Sequence, residues 1–571
     1  MNKVWNWMEG QKRRCWPTAV LNLLGLLGWL VLMSPAYETN DDLGIRQFVN
    51  GCREIRDPHL VYQNIVLGAV YKILYHFTIQ IPWYEIVQYL TILGAFTAVT
   101  FVIFQRLSAG RALVIFFLMQ LFFGFECYVR PQYTKTAGIA AAAGIFLLFF
   151  ALEEMEHTRT AAVAGILLTC LGFMYRQTEA AACIALLSAL GISFLLKLSG
   201  EKKTEIQRKL QRGLVLAGIL VGCLIALLLT DFLAYELDGE WKTYKEFNSL
   251  RTELLDYGFP DYETNRQAYE ELGINEDAFA LYTSWNFNDP DKFNIEVMEE
   301  LVALKPERRL SAETLLSFGK TMPGILKNTY TFQAVCIVLL LWLVWGKHSW
   351  KNWICMIWEL LACVTLYFYL FYMGRYGVNR VDVGLWMAVF LTVISFLDRG
   401  KRSAKKGIRL SLTAAGIVFC GIMLYSSRDT WKPWIKIYHQ QEEAVRLANR
   451  QVLETLGADK EHLYLIKGGT VSESSCYGVF DTMPGEILNN MCWLNGWDCN
   501  TSGQRQVLRN FDVENPFRDL IDRSEVILAD NDVQLTLRYI QTYYDENAQA
   551  KELGTVGNVN LYQIVSSEAQ Q

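Results

Sequence analysis

Long uncharged runs alternate along the chain with stretches of mixed polarity. Residues 213–229 carry no charged side chain, whereas residues 234–328 have the polar and apolar mixture of a water-soluble segment. A helix needs about 20 apolar residues to cross the hydrocarbon core of a bilayer, and it satisfies its own backbone there. The pattern therefore predicts a mainly α-helical, polytopic membrane protein. About eleven transmembrane helices are expected, near residues 18–35, 84–104, 110–127, 134–152, 160–176, 179–197, 213–233, 331–346, 352–373, 382–397 and 408–426.

The segment at 59–78 is apolar on one face only, because it carries Gln63, Asn64 and Lys72. If it lies in the interface without crossing, the basic loops between later spans fall on the same side as the N-terminus, as the positive-inside rule requires. We therefore predict an amphipathic interfacial helix here and a cytoplasmic N-terminus. The apolar run at 18–35 follows basic residues as in a signal peptide, but its length and the later spans favour a retained first transmembrane helix.

Three segments are expected on the extracytoplasmic face. The first is the loop at 36–83, and the second is the insertion at 234–328, whose helical periodicity is broken by prolines. The third follows residue 427, where LYLIKG, EVILAD and VNLYQIV predict strands and 484–494 and 533–545 predict helices, as in a small α/β domain. The expected domains are a transmembrane module, a helical insertion, a second transmembrane module and the α/β domain, at 1–233, 234–328, 329–426 and 427–571.

Charge and composition disfavour several functions. The net charge is −5 and the pI is near 5.9, with no basic stripe outside the short loops, so nucleic acid is not an expected partner. The 6 histidines are scattered, which disfavours a zinc centre. Most of the 13 cysteines lie in apolar runs. In the C-terminal part, Cys492 and Cys499 are candidates for one disulfide, although sequence alone does not establish the pairing.

The sequence YETNDD directly follows the first span and contains Glu38, Asp41 and Asp42. Two adjacent carboxylates beside a membrane have two interpretations: a solvated helix end, or a site in which one of them acts as general base or binds a cation. Adjacent side chains point in different directions on a helix or strand. Only one of Asp41 and Asp42 is therefore expected to take part in chemistry.

Cationic and amide side chains gather at the outward ends of several spans, against the positive-inside bias. Each arginine taken alone is explained by snorkelling toward lipid headgroups. Together with the carboxylates on the same face, the set favours an anionic lipid ligand, because the planar guanidinium binds phosphate oxygens in pairs. The candidate substrate-binding residues are Glu38, Arg130, Gln132, Lys135, Arg176, Gln177, Arg375 and Arg380.

The plan of the chain resembles the integral membrane glycosyltransferases of the GT-C superfamily, which use polyprenyl-phosphate-linked sugars. The likeness rests on YETNDD in the first outer loop, on HLVYQNIVLGAVYKIL followed by PWYEIVQYL, and on an outer C-terminal domain, and it covers mainly residues 15–200. It implies that Asp41 or Asp42 is the catalytic base or a ligand of a divalent cation. It also implies that the donor phosphate is held by a subset of Arg130, Lys135, Arg176, Arg375 and Arg380. The chain lacks a clear WWD motif, which disfavours protein N-glycosylation.

The resemblance implies sugar transfer from a polyprenyl-phosphate donor to an envelope glycan or glycolipid acceptor, at the outer leaflet of a bacterial plasma membrane. Direct displacement of the phosphate would invert the anomeric configuration. Three alternatives remain open: a transporter or flippase of lipid-linked polysaccharide, a polymerase or ligase of glycan chains, and a non-catalytic scaffold. A transporter is expected to carry charged or broken helices near the bilayer midplane, in paired halves.

Overall fold

The fold is described from a computed structural model. It describes residues 15–154, 158–306, 308–398, 421–422, 425–438, 440–471 and 475–566. The predicted span at 408–426 lies almost entirely outside these residues.

The described chain is mainly α-helical, as the apolar pattern predicts. The first half contains α1 (Trp16–Leu32), α2 (Asp41–Asn50), α3 (Ile65–Phe77), α4 (Trp83–Arg106), α5 (Ala109–Tyr128), α6 (Tyr133–Glu153), α7 (Thr158–Tyr175), α8 (Gln177–Leu198), α9 (Lys203–Leu237) and α10 (Gly239–Arg251). The second half contains α11 (Arg266–Glu271), α12 (Glu276–Thr283), α13 (Ile295–Ala303), α14 (Ala312–Asn328), α15 (Tyr330–Trp345), α16 (Trp350–Tyr372), α17 (Asn379–Ser395), α18 (Gln440–Ala458), α19 (Ser502–Arg509) and α20 (Val533–Tyr543).

Six of the described helices are long and apolar enough to cross a membrane: α4, α5, α6, α8, α9 and α16. The pair α14 and α15 would make a seventh, although the two helices are bent by 88° at their junction. Helices α1, α3 and α7 are apolar but shorter. The chain thus has the helices of a membrane protein, while the eleven predicted spans are not shown. At 13 residues, α3 is about 20 Å long, which is too short for a bilayer core of about 30 Å.

Helix α6 lies at the centre of the helical bundle, and 83% of its most apolar stretch is buried. Its small residues let neighbours approach closely, because a Cβ on Gly144 would lie 2.6 Å from the Gly165 carbonyl oxygen of α7. On another face, a Cβ on Gly138 would lie 2.5 Å from the Cα of Gly384 in α17. Such small residues are the usual contact points of helices in membranes. Helix α6 therefore packs closely against both α7 and α17.

The C-terminal domain contains the predicted small sheet, with strands in the order β2-β1-β3-β5-β4. The strands are β1 (Leu463–Ile466), β2 (Met491–Trp493), β3 (Val526–Ala529), β4 (Ala548–Val556) and β5 (Val559–Ser566). Strand β1 pairs in parallel with β2 and β3, while β5 is antiparallel to β3 and β4. The helix predicted at 533–545 is confirmed by α20. The helix predicted at 484–494 is wrong, because its last residues form β2, and a short apolar run does not distinguish a buried strand from a helix.

Three segments that are distant in sequence pack into one body above the helical bundle. The first outer loop meets the C-terminal domain through Arg53 and Asp498, whose side chains lie 3.0 Å apart. The insertion joins the same domain, since the Tyr244 hydroxyl donates to the Trp497 carbonyl oxygen at 2.7 Å. These contacts place the three segments on one side of any membrane.

The disulfide considered between Cys492 and Cys499 is not formed. Both thiols are buried and lie 3.8 Å from the same acceptor, the carbonyl oxygen of Trp493. They therefore act as small side chains in the core that the insertion shares with the sheet.

Candidate functional site

Helix α2 carries the two aspartates of the first outer loop and begins at Asp41. Both carboxylates lie in its first turn, where the positive end of the helix dipole favours negative charge. The helix ends at Gly51, which has a φ of 84°, a conformation that glycine adopts without strain. From Asp42 onward nearly every residue of α2 is buried, whereas Asp41 is only half-buried.

Asp42 lies in the interior and is fully buried. Its Oδ1 accepts three hydrogen bonds, from the Tyr84 hydroxyl at 3.0 Å, the Gln88 amide at 2.8 Å and the Tyr133 backbone N–H at 3.0 Å. Its Oδ2 is buried and has no hydrogen-bond partner among the described residues. Burial raises the pKa of Asp42 to about 8, with the negative charge of Asp41 adding to the rise and the Gln88 hydrogen bond opposing it. Asp42 therefore connects α2, α4 and α6 and is closed to a substrate.

The raised pKa of Asp42 makes a prediction for stability. The folded state holds the Asp42 proton more tightly than the unfolded state, so the free energy of unfolding falls as pH rises from about 4 to about 8. We expect Asp42→Asn, which keeps the shape of the side chain without the charge, to remove a slope of at most ~1.4 kcal/mol per pH unit. Thermal unfolding of both proteins in detergent from pH 4 to pH 9 measures this slope. Parallel pH profiles for the two proteins would contradict it.

Asp41 has the opposite environment. Its carboxylate makes no hydrogen bond or ion pair within the part of the chain that the structure describes. It lies near Tyr62, where burial raises the pKa of the phenol to about 12, the charge of Arg251 opposes the rise and the charge of Asp41 adds to it. Asp41 is thus a carboxylate near aromatic and cationic groups that makes no hydrogen bond or ion pair with the described residues.

Tyr133, then Glu179 and more weakly Asp41, raise the pKa of Arg176, so Asp41 lies within electrostatic range of its guanidinium. Its Nη1 donates to the Tyr133 hydroxyl and to the Thr134 Oγ1, both at 3.0 Å, and the guanidinium lies 5.6 Å from the centre of the Tyr133 ring. Its Nε and Nη2 have no hydrogen-bond partner among the described residues. Arg176 is therefore held in place by one nitrogen, and the others are free to bind an anion.

The insertion supplies a second arginine to this site. Arg251 is buried, and its Nη2 donates to the Tyr62 hydroxyl at 3.3 Å. Arg251 was not predicted as a site residue, because a single arginine in a polar helix has no sequence pattern that marks it as functional. Arg375 contacts Asp256 at 3.3 Å. We call the set Asp41, Tyr62, Tyr133, Arg176 and Arg251 the Asp41 site.

Lys135 belongs to a separate buried network. Its ammonium donates to the Glu126 carboxylate at 2.6 Å and to the carbonyl oxygens of Glu126 and Arg130 at 3.0 and 2.8 Å, and it forms an ion pair with Glu38. Asn379 donates to both carboxylates, at 3.2 Å to Glu38 and 2.9 Å to Glu126. Because its donors are occupied, Lys135 is not available to a phosphate in this conformation. Glu126 was missed, although a carboxylate inside an apolar run is a recognised functional signal.

The other predicted ligands are placed as follows. Arg130 contacts Glu126 at 3.3 Å and lies 5.7 Å from the Trp434 ring centre. Gln132 is buried and caps α6, since its Oε1 accepts from the Thr134 N–H at 2.6 Å. Gln177 and Arg380 are half-buried and make no side-chain hydrogen bond or ion pair with the described residues. The structure thus groups Arg176 with Asp41, and Glu38, Arg130 and Lys135 with Glu126.

A divalent cation at the aspartates would have few protein side chains as ligands. Among the described residues, no three His, Cys, Asp or Glu side chains are arranged to hold a metal ion. A cation bound at Asp41 would therefore take most of its oxygen ligands from water or from the substrate, as Mg²⁺ often does.

Comparison with known proteins returns no match. No family model, no curated protein and no solved structure shows significant similarity to this chain.

Proposed function

We propose that this chain is a membrane glycosyltransferase that resembles the GT-C superfamily and transfers a sugar from a polyprenyl-phosphate donor to an envelope glycan or glycolipid acceptor. The observation that carries the proposal is the Asp41 site, in which a carboxylate without a partner among the described residues lies within electrostatic range of an arginine with free donors. This pairing provides a base for the acceptor and a cation for the leaving phosphate. Tyr133 is the first residue of α6 and Arg176 directly precedes α8, two helices apolar enough to span a bilayer, which suits a lipid-linked donor.

The reaction we propose is a single displacement. The acceptor hydroxyl forms a bond to the anomeric carbon and its proton passes to Asp41, while the bond between that carbon and the phosphate oxygen breaks. The electron pair leaves with the polyprenyl phosphate, whose charge is met by Arg176, with Arg251 behind Tyr62. Catalysis then consists mostly of positioning and electrostatic stabilisation. In this scheme Lys135 and Asp42 support the site and do not touch the substrate.

The test is sugar transfer by the purified full-length protein from a panel of radiolabelled polyprenyl-phosphate sugars. We expect one donor to be used and the product to have the inverted anomeric configuration, because a single displacement occurs from the face opposite the leaving group. Product stereochemistry is read by NMR of the isolated glycoside. Retention of configuration would exclude the single displacement, and an absence of transfer from every donor would exclude the proposed activity.

The proposal places the outer loop, the insertion and the α/β domain on the extracytoplasmic face of a bacterial plasma membrane, with the N-terminus in the cytoplasm. The support is the positive-inside pattern, since the basic segment at 202–212 and Lys347 with Lys351 lie at the opposite helix ends from these three segments. A glycan polymerase or ligase would use the same chemistry at the same site.

A second candidate is a transporter of lipid-linked glycans. Two observations favour it: the 88° break between α14 and α15, and Glu359, whose carboxylate is buried in α16. Broken helices and intramembrane carboxylates are common in transporters. Movement of a fluorescent lipid-linked glycan across proteoliposomes, without any transfer of sugar, would favour this candidate.

A further inference from the structure

A cavity of about 450 Å³ lies between the first outer loop and the C-terminal domain. It has the size of a small-molecule site, for which about 300–1,000 Å³ is usual. One wall comes from the outer loop and the other from α18 and the loop after β1. Its lining includes Glu38 and Asn40 from the outer loop, and Tyr477, Phe480 and Asp481 from the loop after β1.

Two aromatic residues give the cavity features of a built site. Tyr477 is fully buried, and its hydroxyl has no hydrogen-bond partner among the described residues. A buried hydroxyl without a partner is costly, so a ligand group that reached it would gain a hydrogen bond that the free protein lacks. Phe480 lies beside it with 45% of its surface exposed, supported from below by Tyr89 at 5.3 Å between ring centres. Phe480 thus gives the cavity an apolar, flat face, and Tyr477 brings a hydroxyl whose hydrogen bond is unmet among the described residues.

The charges of the cavity lining favour a neutral ligand over an anion. Its lining contains three carboxylates, Glu38, Glu443 and Asp481, against the cations Lys436 and Arg446. Arg446 forms ion pairs with both Glu443 and Asp481. Asp481 also accepts a hydrogen bond from the Gly478 N–H at 2.8 Å, which holds the loop in place. An incoming phosphate or carboxylate would find Arg446 already paired with two carboxylates, while neutral hydroxyl groups would find carboxylate acceptors.

We propose that this cavity binds a neutral, hydroxylated sugar ring of the acceptor. The apolar face of the ring would lie on Phe480, and its hydroxyl groups would bond to the Tyr477 hydroxyl and to the carboxylates of the lining. Asn40, which lines the cavity, directly precedes Asp41 in the chain. An acceptor bound here would lie beside the segment that carries the proposed base. The assignment to the acceptor rests on the proposed function, whereas the binding of a neutral sugar does not.

The test measures equilibrium binding of fluorescently labelled gluco-, manno- and galacto-oligosaccharides, with oligogalacturonate as the anionic probe, to the full-length protein in nanodiscs. We expect at least one neutral probe to bind more tightly than oligogalacturonate. Tyr477→Phe should lower its affinity about 3- to 10-fold, the value of one hydrogen bond. The unfolding temperature of this variant should stay the same or rise, since the lost hydroxyl has no partner in the free protein. Phe480→Ala should lower the affinity at least as much.

The matched control is Tyr464→Phe. Its hydroxyl donates to Asp459 at 2.7 Å in the same domain, outside the cavity lining, so its loss should lower stability and leave binding unchanged. Asp41→Asn should bind the probe like the wild type, which separates this inference from the proposed catalysis. Tighter binding of oligogalacturonate, no binding of any neutral probe, or unchanged affinity in both Tyr477→Phe and Phe480→Ala would overturn the proposal. Intact binding without sugar transfer would instead count against the proposed function alone.

Discussion

Asp41→Asn is expected to lower the rate of sugar transfer by about 10²–10⁴-fold, the usual contribution of a positioned general base. The amide has nearly the shape of the carboxylate but cannot accept the acceptor proton. Because Asp41 makes no hydrogen bond or ion pair within the described chain, its loss should leave stability within about 0.5 kcal/mol of the wild type. The measurement is kcat with saturating donor and acceptor, together with donor binding by the same protein preparation.

Asp42→Asn is the matched control, since the two residues are adjacent and the substitution is identical. Its Oδ1 partners are all donors, and an amide oxygen accepts the same three hydrogen bonds. This variant should keep transfer within several-fold of the wild type and differ mainly in the pH dependence of its stability. If Asp42→Asn abolished transfer and Asp41→Asn did not, Asp42 would have to reach the substrate in another conformation, and the proposed base would be wrong.

Lys135→Met is expected to destabilise the protein by about 3–5 kcal/mol, the usual cost of removing one partner from a buried ion pair. Glu126 is fully buried, and Lys135 is its nearest cation at 2.6 Å, against 3.3 Å for Arg130. Methionine fills the space of the lysine stem but leaves the carboxylates of Glu126 and Glu38 without its charge. The shift in thermal unfolding temperature in detergent, converted with the unfolding enthalpy of the wild type, measures the loss.

Lys197→Met is the control at the surface of the same bundle. Lys197 contacts Glu153 at 2.7 Å, but its side chain is 46% exposed, so its loss should cost less than ~1 kcal/mol. Adding Glu126→Gln to Lys135→Met should restore much of the stability, because the buried charge is then removed together with its partner. Equal effects of Lys135→Met and Lys197→Met would show that the Glu126 network does not stabilise the fold.

The helices of this chain follow from local pattern. The apolar runs near 84–104, 134–152 and 352–373 coincide with α4, α6 and α16, because a long uncharged run has no other stable form in a bilayer. The strands at LYLI and VILA were likewise recognisable from their β-branched and aromatic residues. Where the pattern was short it failed, as at β2, since three buried residues suit either element until a neighbouring strand pairs with them.

The candidate site was only partly readable from sequence. YETNDD and Arg176 were found because charge at the end of an apolar span is unusual, and that signal is local. The difference between Asp41 and Asp42 is not local: Asp42 is closed by Tyr84 and Gln88 from α4 and by the Tyr133 N–H of α6. Arg251 is a similar case, since it reaches Tyr62 from 189 positions away in the chain.

The sequence by itself determined the mainly helical class, the long apolar helices and the small sheet, because hydrophobic periodicity depends only on neighbouring residues. Tertiary structure alone decided which carboxylate is free, why Lys135 is occupied, and that a cavity lies between the outer loop and the α/β domain. Burial and pairing depend on which distant segments meet, as Glu38, Lys135 and Asn379 do. The sequence therefore specifies the charge of a side chain, but the fold determines whether a ligand can reach it.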